Sequence, residues 1–203
     1  MASQNWVSLL NPNSVQASGA GSALTTATTA TISPVTGGSA DVVQVNPAGQ
    51  YLGWAAGMLI RVKARGYITT TTTSTTATFL LAARVGNTGS TYVTLATSAG
   101  AATSTTAITG APWSLEATVR CTAIATSGST VSTQGEMLIS PNPSTAQTVN
   151  VASAGVNLYL PNASGETAAA VDTTQLQGIS MRATLAGANA TIQLTQWIVE
   201  AMN

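Results

Sequence analysis

A run of threonine marks this chain: residues 69–78 read TTTTTSTTAT, and threonine occurs 35 times in 203 residues. Threonine is β-branched, so it loses side-chain freedom in a helix and packs well on the pleated surface of a sheet. No segment shows a convincing helical pattern of apolar residues. The sequence therefore predicts an all-β protein.

Alternation of apolar and polar residues predicts the individual strands. It is clearest in residues 113–125, where one face would carry Trp113, Leu115, Ala117, Val119, Cys121 and Ala123. Other strands are predicted at 58–68, 78–85, 91–97, 135–139, 147–151, 155–160, 176–185 and 190–202. In the last of these the alternation changes phase between Leu194 and Trp197, which predicts a β-bulge.

Eight to ten strands of this kind, separated by turn residues, predict a jelly-roll-like antiparallel β-sandwich. We place this domain at residues 41–203. The long loops 98–112 and 161–175 fit crossings between two sheets better than tight hairpins. No repeat of fixed period is visible, which argues against a solenoid or a propeller.

Residues 1–40 differ from the rest because they contain no charged side chain and are rich in Gly, Ser and Thr. Such a segment has too little apolar surface to become ordered by itself. We therefore predict an extended N-terminal arm that is held by other subunits. Its candidate anchors are Trp6, Leu9 and Leu10.

Charge is scarce and balanced. The chain has six Lys or Arg and six Asp or Glu residues, so its net charge at pH 7 is zero. This balance supplies no long-range attraction for nucleic acid or for an anionic membrane, and neither is expected as a partner. A monomer of this mass would expose roughly 8,800 Å², or about one charge per 700 Å². We therefore expect an oligomer, with a homotrimer as the preferred state.

Targeting signals and disulfides are not expected. Cys121 is the single cysteine, so it has no partner for a bond within the chain. No Lys or Arg precedes Arg61, which is not the pattern of a signal peptide. No apolar run approaches the length of a membrane span.

The sequence contains few residues that could act in catalysis or bind a metal. The absence of histidine removes the commonest general base and metal ligand, and with it every Ser-His or Cys-His pair. We expect no enzyme activity, no metal and no cofactor. Two alternatives remain: a Ser-Lys dyad using Lys63, and a pair of carboxylates that act on a sugar. The candidates for that pair are Glu116, Glu136, Glu166 and Asp172.

Arg61, Lys63 and Arg65 form one cluster of cations, at alternate positions of a predicted strand. We interpret it as a solvent-facing or subunit-facing row paired with Glu or Asp of a neighbour. A phosphate-binding stripe is the alternative, although no aromatic residues for stacking lie beside it. Cys121, on the apolar face of its strand, is expected to be a buried structural thiol.

Several segments together resemble the jelly-roll structural proteins of tailed bacteriophages. They are the uncharged N-terminal arm, the strand ending in Arg65-Gly-Tyr, the threonine-rich loop leading into FLLAARVG, PWSLEATVR at 112–120, Gly135-Glu-Met, and the closing strand with Asn189-Ala-Thr-Ile and Trp197-Ile-Val-Glu-Ala. The pattern is most similar to head decoration (cement) proteins and to related head-fibre or tail adsorption proteins, over about residues 55–203.

This resemblance implies a virion protein that is assembled in the host cytoplasm without export. Its partners would be its own copies in a trimer and the major capsid protein or another virion protein. A decoration protein would stabilise the capsid through contacts between subunits. A tail-fibre or receptor-binding domain is the alternative, in which loops 98–112 and 161–175 would form a sugar or protein site.

Overall fold

The computed structural model describes residues 7–9, 23–33, 35–36, 40–41, 43–51, 53–71, 73, 75–86, 90–98, 100–102, 107–139, 156–160 and 167–202. In these residues every regular element is a β-strand. In chain order the strands are β1 (Val7–Leu9), β2 (Thr29–Thr31), β3 (Val35–Thr36), β4 (Ala40–Asp41), β5 (Val43–Val45), β6 (Leu59–Thr70), β7 (Thr76–Val85), β8 (Val93–Thr97), β9 (Ala101–Ala102), β10 (Ile108–Cys121), β11 (Val131–Ile139), β12 (Val156–Leu160), β13 (Thr167–Ala169), β14 (Gln177–Leu185) and β15 (Ala190–Met202). The all-β class predicted from threonine content and alternation is confirmed.

Two antiparallel sheets pack against each other as a sandwich. Sheet A has the strand order β1-β15-β6-β10-β11-β12, and β13 also pairs with β11. Sheet B has the order β2-β14-β7-β8, with β5 on β14 and β9 on β7. Eight strands have five or more residues, namely β6, β7, β8, β10, β11, β12, β14 and β15. The predicted jelly-roll-like sandwich of eight to ten strands is therefore confirmed.

The threonine run forms a corner at which the chain changes sheets. It connects β6 in sheet A to β7 in sheet B, and the β14–β15 connection crosses beside it. The two crossings are hydrogen-bonded, from Thr71 N to Asn189 O at 2.9 Å and from Ala186 N to Thr76 O at 3.0 Å. The two connections are thus hydrogen-bonded to each other where they leave sheet A and where they enter sheet B.

The core lies between the inner faces of the sheets. Trp113 of β10 contacts Phe79 of β7 across the sandwich, with ring centroids 5.1 Å apart. Gly66 lies opposite Trp113 on β6, and a Cβ at Gly66 would stand only 2.6 Å from the indole ring. The missing side chain therefore makes room for the tryptophan. Trp113 and Trp197 are both buried, as core aromatics.

The bulge predicted in the last strand is confirmed. The register of β15 against β6 shifts between Leu194 and Gln196, which leaves Thr195 as the extra residue. The Thr195 hydroxyl donates a hydrogen bond to the Arg65 carbonyl oxygen at 3.1 Å. Because one residue is inserted, Leu194 and Trp197 both point into the core.

Several strand boundaries differ from the prediction. The predicted loop 98–112 contains β9 and the first residues of β10, and the predicted loop 161–175 contains β13. The strand placed at 135–139 begins already at Val131, and the strand placed at 113–125 ends at Cys121. Gly110 in β10 and Thr133 in β11 interrupt the apolar alternation, so the sequence pattern does not predict a strand there. Pairing with neighbouring strands sets these strand ends. The strand predicted at 147–151 lies outside the described residues.

Part of the segment assigned to the arm belongs to the sandwich. Leu24 bridges Ile192 of β15, and β2 pairs with residues 182–184 of β14. Leu24 and Ile32 are buried in the core cluster. The composition of this segment is that of a linker, but edges of both sheets offer backbone partners that composition does not reveal. Within the segment predicted as an arm, residues 7–9 and 24–33 thus contact their own domain.

The two faces of β10 provide a test of the sandwich. Val119 is completely buried, whereas Thr118 lies on the opposite face and is half-buried. We expect Val119→Asp to prevent soluble folding, because it buries an unpaired charge at a cost of several kcal/mol. Thr118→Asp should leave a folded protein. Circular dichroism and urea denaturation of the two variants measure the difference, and equal tolerance would contradict this orientation of β10.

Candidate functional site

Charged side chains are concentrated on the outer face of sheet A, which is the surface opposite to the core. The inner positions of β6, such as Ile60 and Val62, are buried, and the residues between them point outward. Seven of the twelve charged residues of the chain lie on this outer face: Arg61, Lys63, Arg65, Glu116, Arg120, Glu136 and Glu200. We take this face as the candidate interaction site.

Strand register arranges these residues in rows that run across the sheet. One row is Glu200, Arg61, Thr118 and Gln134; the next is Ile198, Lys63, Glu116 and Glu136; the third is Gln196, Arg65, Ser114 and Leu138. Neighbouring residues in a row have Cβ atoms about 5 Å apart, so they interact directly. The cations along β6 (the basic row) therefore have a glutamate in each neighbouring strand, Glu200 on β15 and Glu116 on β10.

Two cations of that basic row are paired within the chain. The Arg61 guanidinium donates to Glu200, with Nε at 2.7 Å from Oε2. The Lys63 Nζ lies 3.8 Å from Glu116 Oε1, and both of these side chains are about half exposed. We expected carboxylates of a neighbour as partners, whereas Arg61 and Lys63 pair with Glu200 and Glu116 in neighbouring strands of their own sheet.

Arg65 and Glu136 have no ion pair among the described residues. Both are exposed, and they line one shallow depression of about 260 Å³ together with Ser114 and Leu138. A second depression of about 300 Å³ continues along Tyr67 and shares Arg65, Ser114 and Leu138 with the first. The small side chain of Ser114, between Arg65 and Leu138, leaves this space open.

The carboxylate pair considered for sugar hydrolysis is only partly assembled. Glu116 and Glu136 are direct cross-strand neighbours on β10 and β11. They lie on an open face, whereas a glycosidase holds its substrate between two carboxylates in a cleft. Asp172 lies apart in the turn before β14, where it accepts hydrogen bonds from Thr174. Glu166 lies outside the described residues.

The predicted arm anchors are described only in part. Trp6 and Leu10 lie outside the described residues. Leu9 belongs to β1, whose backbone pairs with residues 200–202 at the edge of sheet A. Leu9 is opposite Glu200, so β1 reaches the strand next to the basic row.

A second charged cluster was not anticipated from the sequence. Arg84 of β7 and Arg182 of β14 both lie against the ring of Tyr92, at 5.0 Å and 3.9 Å from its centroid. Arg84 is almost completely buried, and the Tyr92 hydroxyl is 3.0 Å from Thr31 Oγ1. Single arginines in otherwise apolar strands were the only signal for it. The cluster fixes Tyr92 to sheet B by cation–π contacts.

Cys121 is buried, as predicted. Burial raises the pKa of its thiol, which is also 3.5 Å from the Ala123 carbonyl oxygen. The described residues contain no cluster of three or more potential metal ligands. The same part of the chain has no helix long and apolar enough to cross a membrane.

Comparison with known proteins returned no match: none to a protein-family model, none to a curated protein and none to a solved structure. The resemblance to phage virion proteins rests on sequence pattern alone.

The two ion pairs of the outer face should differ in strength. Glu200 is mostly covered and bonds Arg61, so Glu200→Gln should lower the free energy of unfolding by about 1 kcal/mol. Glu116→Gln removes an exposed pair and also a repulsion from Glu136, so its effect should stay within about 0.5 kcal/mol. Urea denaturation at low salt measures both, and a larger loss for Glu116→Gln would contradict this assignment.

The thiol of Cys121 should be inert in the folded protein. Burial and a raised pKa both lower the fraction of reactive thiolate at pH 8. We expect a thiol-specific reagent to react at the rate at which the protein opens, and at once in denaturant. Fast reaction of the native protein would show that Cys121 is accessible.

Proposed function

We propose that this chain is a non-enzymatic structural protein of a bacteriophage virion, which decorates the capsid and stabilises it through contacts between subunits. The observation that carries the proposal is the distribution of charge. Seven of the twelve charged side chains lie in rows on one sheet face, and that face is open and contains both signs. Such a mixed surface suits recognition of another protein better than chemistry on a small molecule.

Stabilisation by this protein would come from buried area. A specific interface removes about 1,600 Å² from water, so a subunit that bridges two capsid proteins ties them together without changing either. The capsid protein, or another virion protein, and further copies of this chain would be the partners. Assembly would take place in the host cytoplasm. A homotrimer remains our expectation for the free protein because its charge is so low.

The N-terminal segment would provide an additional attachment. Residues 24–33 contact their own sandwich, and Val7–Leu9 pair with β15 at the edge of sheet A, so neither segment is a free arm. We propose that Trp6, Leu9 and Leu10, in or next to β1, contact a neighbouring subunit at this edge.

Location in the particle tests the proposal directly. Purified virions of the phage that carries the coding sequence would be labelled with a gold-conjugated antibody against this chain and imaged. Label distributed over the head supports the decoration role. Label at the tail tip would support the alternative, a receptor-binding protein, and absence from purified virions would refute both.

Two truncations separate attachment from folding. Deletion of residues 2–22 removes the three-residue edge strand β1 but keeps β2 and the buried Leu24 and Ile32, so we expect a cooperatively folded protein that sediments poorly with particles. Deletion of residues 2–40 also removes those core residues and should cost several kcal/mol of stability. Thermal melting and co-sedimentation measure the two properties. If the protein lacking residues 2–22 binds particles as well as the full chain, the arm is not the anchor.

A further inference from the structure

We infer that the outer face of sheet A is a self-association surface, on which a second copy of this chain packs about a two-fold axis. The feature that points to it is a matched pair of unpaired charges, Arg65 and Glu136, at the rim of one depression. The inference rests on the proposed function in one respect, since it names a second copy of this chain as the partner of the charged face. Contact with the capsid would then use other surfaces.

The charges of this face are self-complementary. Arg61 and Lys63 have carboxylate partners in their own chain, whereas Arg65 and Glu136 have none among the described residues. In a two-fold interface, a contact between residue i and residue j occurs twice, once in each direction. Arg65 of each copy would therefore meet Glu136 of the other, and both unpaired charges would be neutralised.

The spacing of strands and residues in sheet A allows this pairing. Arg65 and Glu136 are separated by two strand spacings and one row, or about 12 Å between Cα atoms. The axis that exchanges them would lie between the two facing sheets and pass over β10 between Ser114 and Glu116. With this axis Leu138 comes close to its own copy, and Glu116 comes close to Lys63 of the second copy. Lys63 and Glu116 each also lie near their own copies, so the four side chains alternate in sign around the axis. The like charges of Glu116 and Glu136, which repel each other in one chain, then each face a cation.

Exposed apolar groups lie within the area that the interface would cover. Leu138 is 42% exposed and Tyr67 is 48% exposed, and both line the joined depressions. Ser114 between them is small enough to let the second copy approach. Leu138 would add apolar contact close to the axis, and Tyr67 would add it at the periphery, beside the paired charges.

The available area is sufficient for a stable contact. Five strands of sheet A, from β15 to β12, at about 4.8 Å spacing and about 30 Å length present roughly 700 Å² per copy. This is close to the roughly 800 Å² per partner that standard interfaces bury. The face can therefore support a dimer, or can join two trimers into a hexamer if the trimer forms through other surfaces.

Charge reversal tests the inference. Analytical ultracentrifugation of the full chain at up to roughly 500 µM, a range that covers weak interfaces of this size, should show a dimer or a hexamer. Arg65→Glu and Glu136→Arg each place like charges together twice per interface. Each should raise the Kd by roughly 30-fold or more. Gln175→Arg, in an exposed turn before β14, is the control for a change of net charge and should leave the Kd unchanged.

The decisive measurement is a mixture of the two single variants. Each variant repels itself, but one copy of each would bring opposite charges together at both positions, so the mixture should form a mixed dimer with near wild-type Kd. The double variant R65E/E136R should also recover association. Unfolding midpoints of both single variants should stay close to wild type, which separates lost contact from lost fold.

Four results would overturn the inference. They are a wild-type protein that remains monomeric or solely trimeric over this range, an oligomer that either reversal leaves intact, loss of association only through unfolding, and a mixture in which association is not restored.

Discussion

The register of β6 with its two neighbours is the constraint on which both faces of sheet A depend. β6 lies between β15 and β10 and is paired with them along nearly its whole length. Since side chains alternate in a strand, a slip of one residue would place Val62 outside and Lys63 in the core. An unpaired Lys63 in the core would cost more free energy than new contacts on the surface could recover. The apolar side chains of the inner face thus fix the positions of the charges on the outer face.

The bulge at Thr195 keeps this register consistent over a long strand. Before it the buried residues of β15 are even-numbered, as with Ile192, and after it they are odd-numbered, as with Val199. Without the extra residue, Glu200 would point into the core and could not pair with Arg61 on the outer face. The sandwich depends similarly on Gly66, because its missing side chain lets Trp113 reach Phe79 in the other sheet. The inserted residue Thr195 therefore keeps the charges of β15 on the outer face, and Gly66 lets the inner face pack against sheet B.

The contrast between a mainly apolar interior and one charged outer face bears on the proposed role. The corner between the sheets is rich in threonine, and the backbones of Thr71 and Thr76 make the hydrogen bonds that join the two crossings. Most of the charge is left for a single face, with both signs in adjacent strands. In the proposed role, the register of these charges would discriminate between partners, and apolar groups such as Leu138 would add affinity.

The strand class, most strand positions and the bulge followed from the sequence alone, because period-two alternation is a local property that residues 113–121 and 190–202 express strongly. The orientation of the basic row could also be predicted, since Arg61, Lys63 and Arg65 alternate with apolar residues. Tertiary structure alone decided which strands became neighbours, and hence that Lys63 meets Glu116 and that Glu136 lies beside them. It also placed Leu24 and Ile32 in the core despite their linker-like surroundings, because free sheet edges stabilise a segment through backbone hydrogen bonds that composition does not encode. Contacts between distant parts of the chain depend on register between strands, and no local pattern specifies that register.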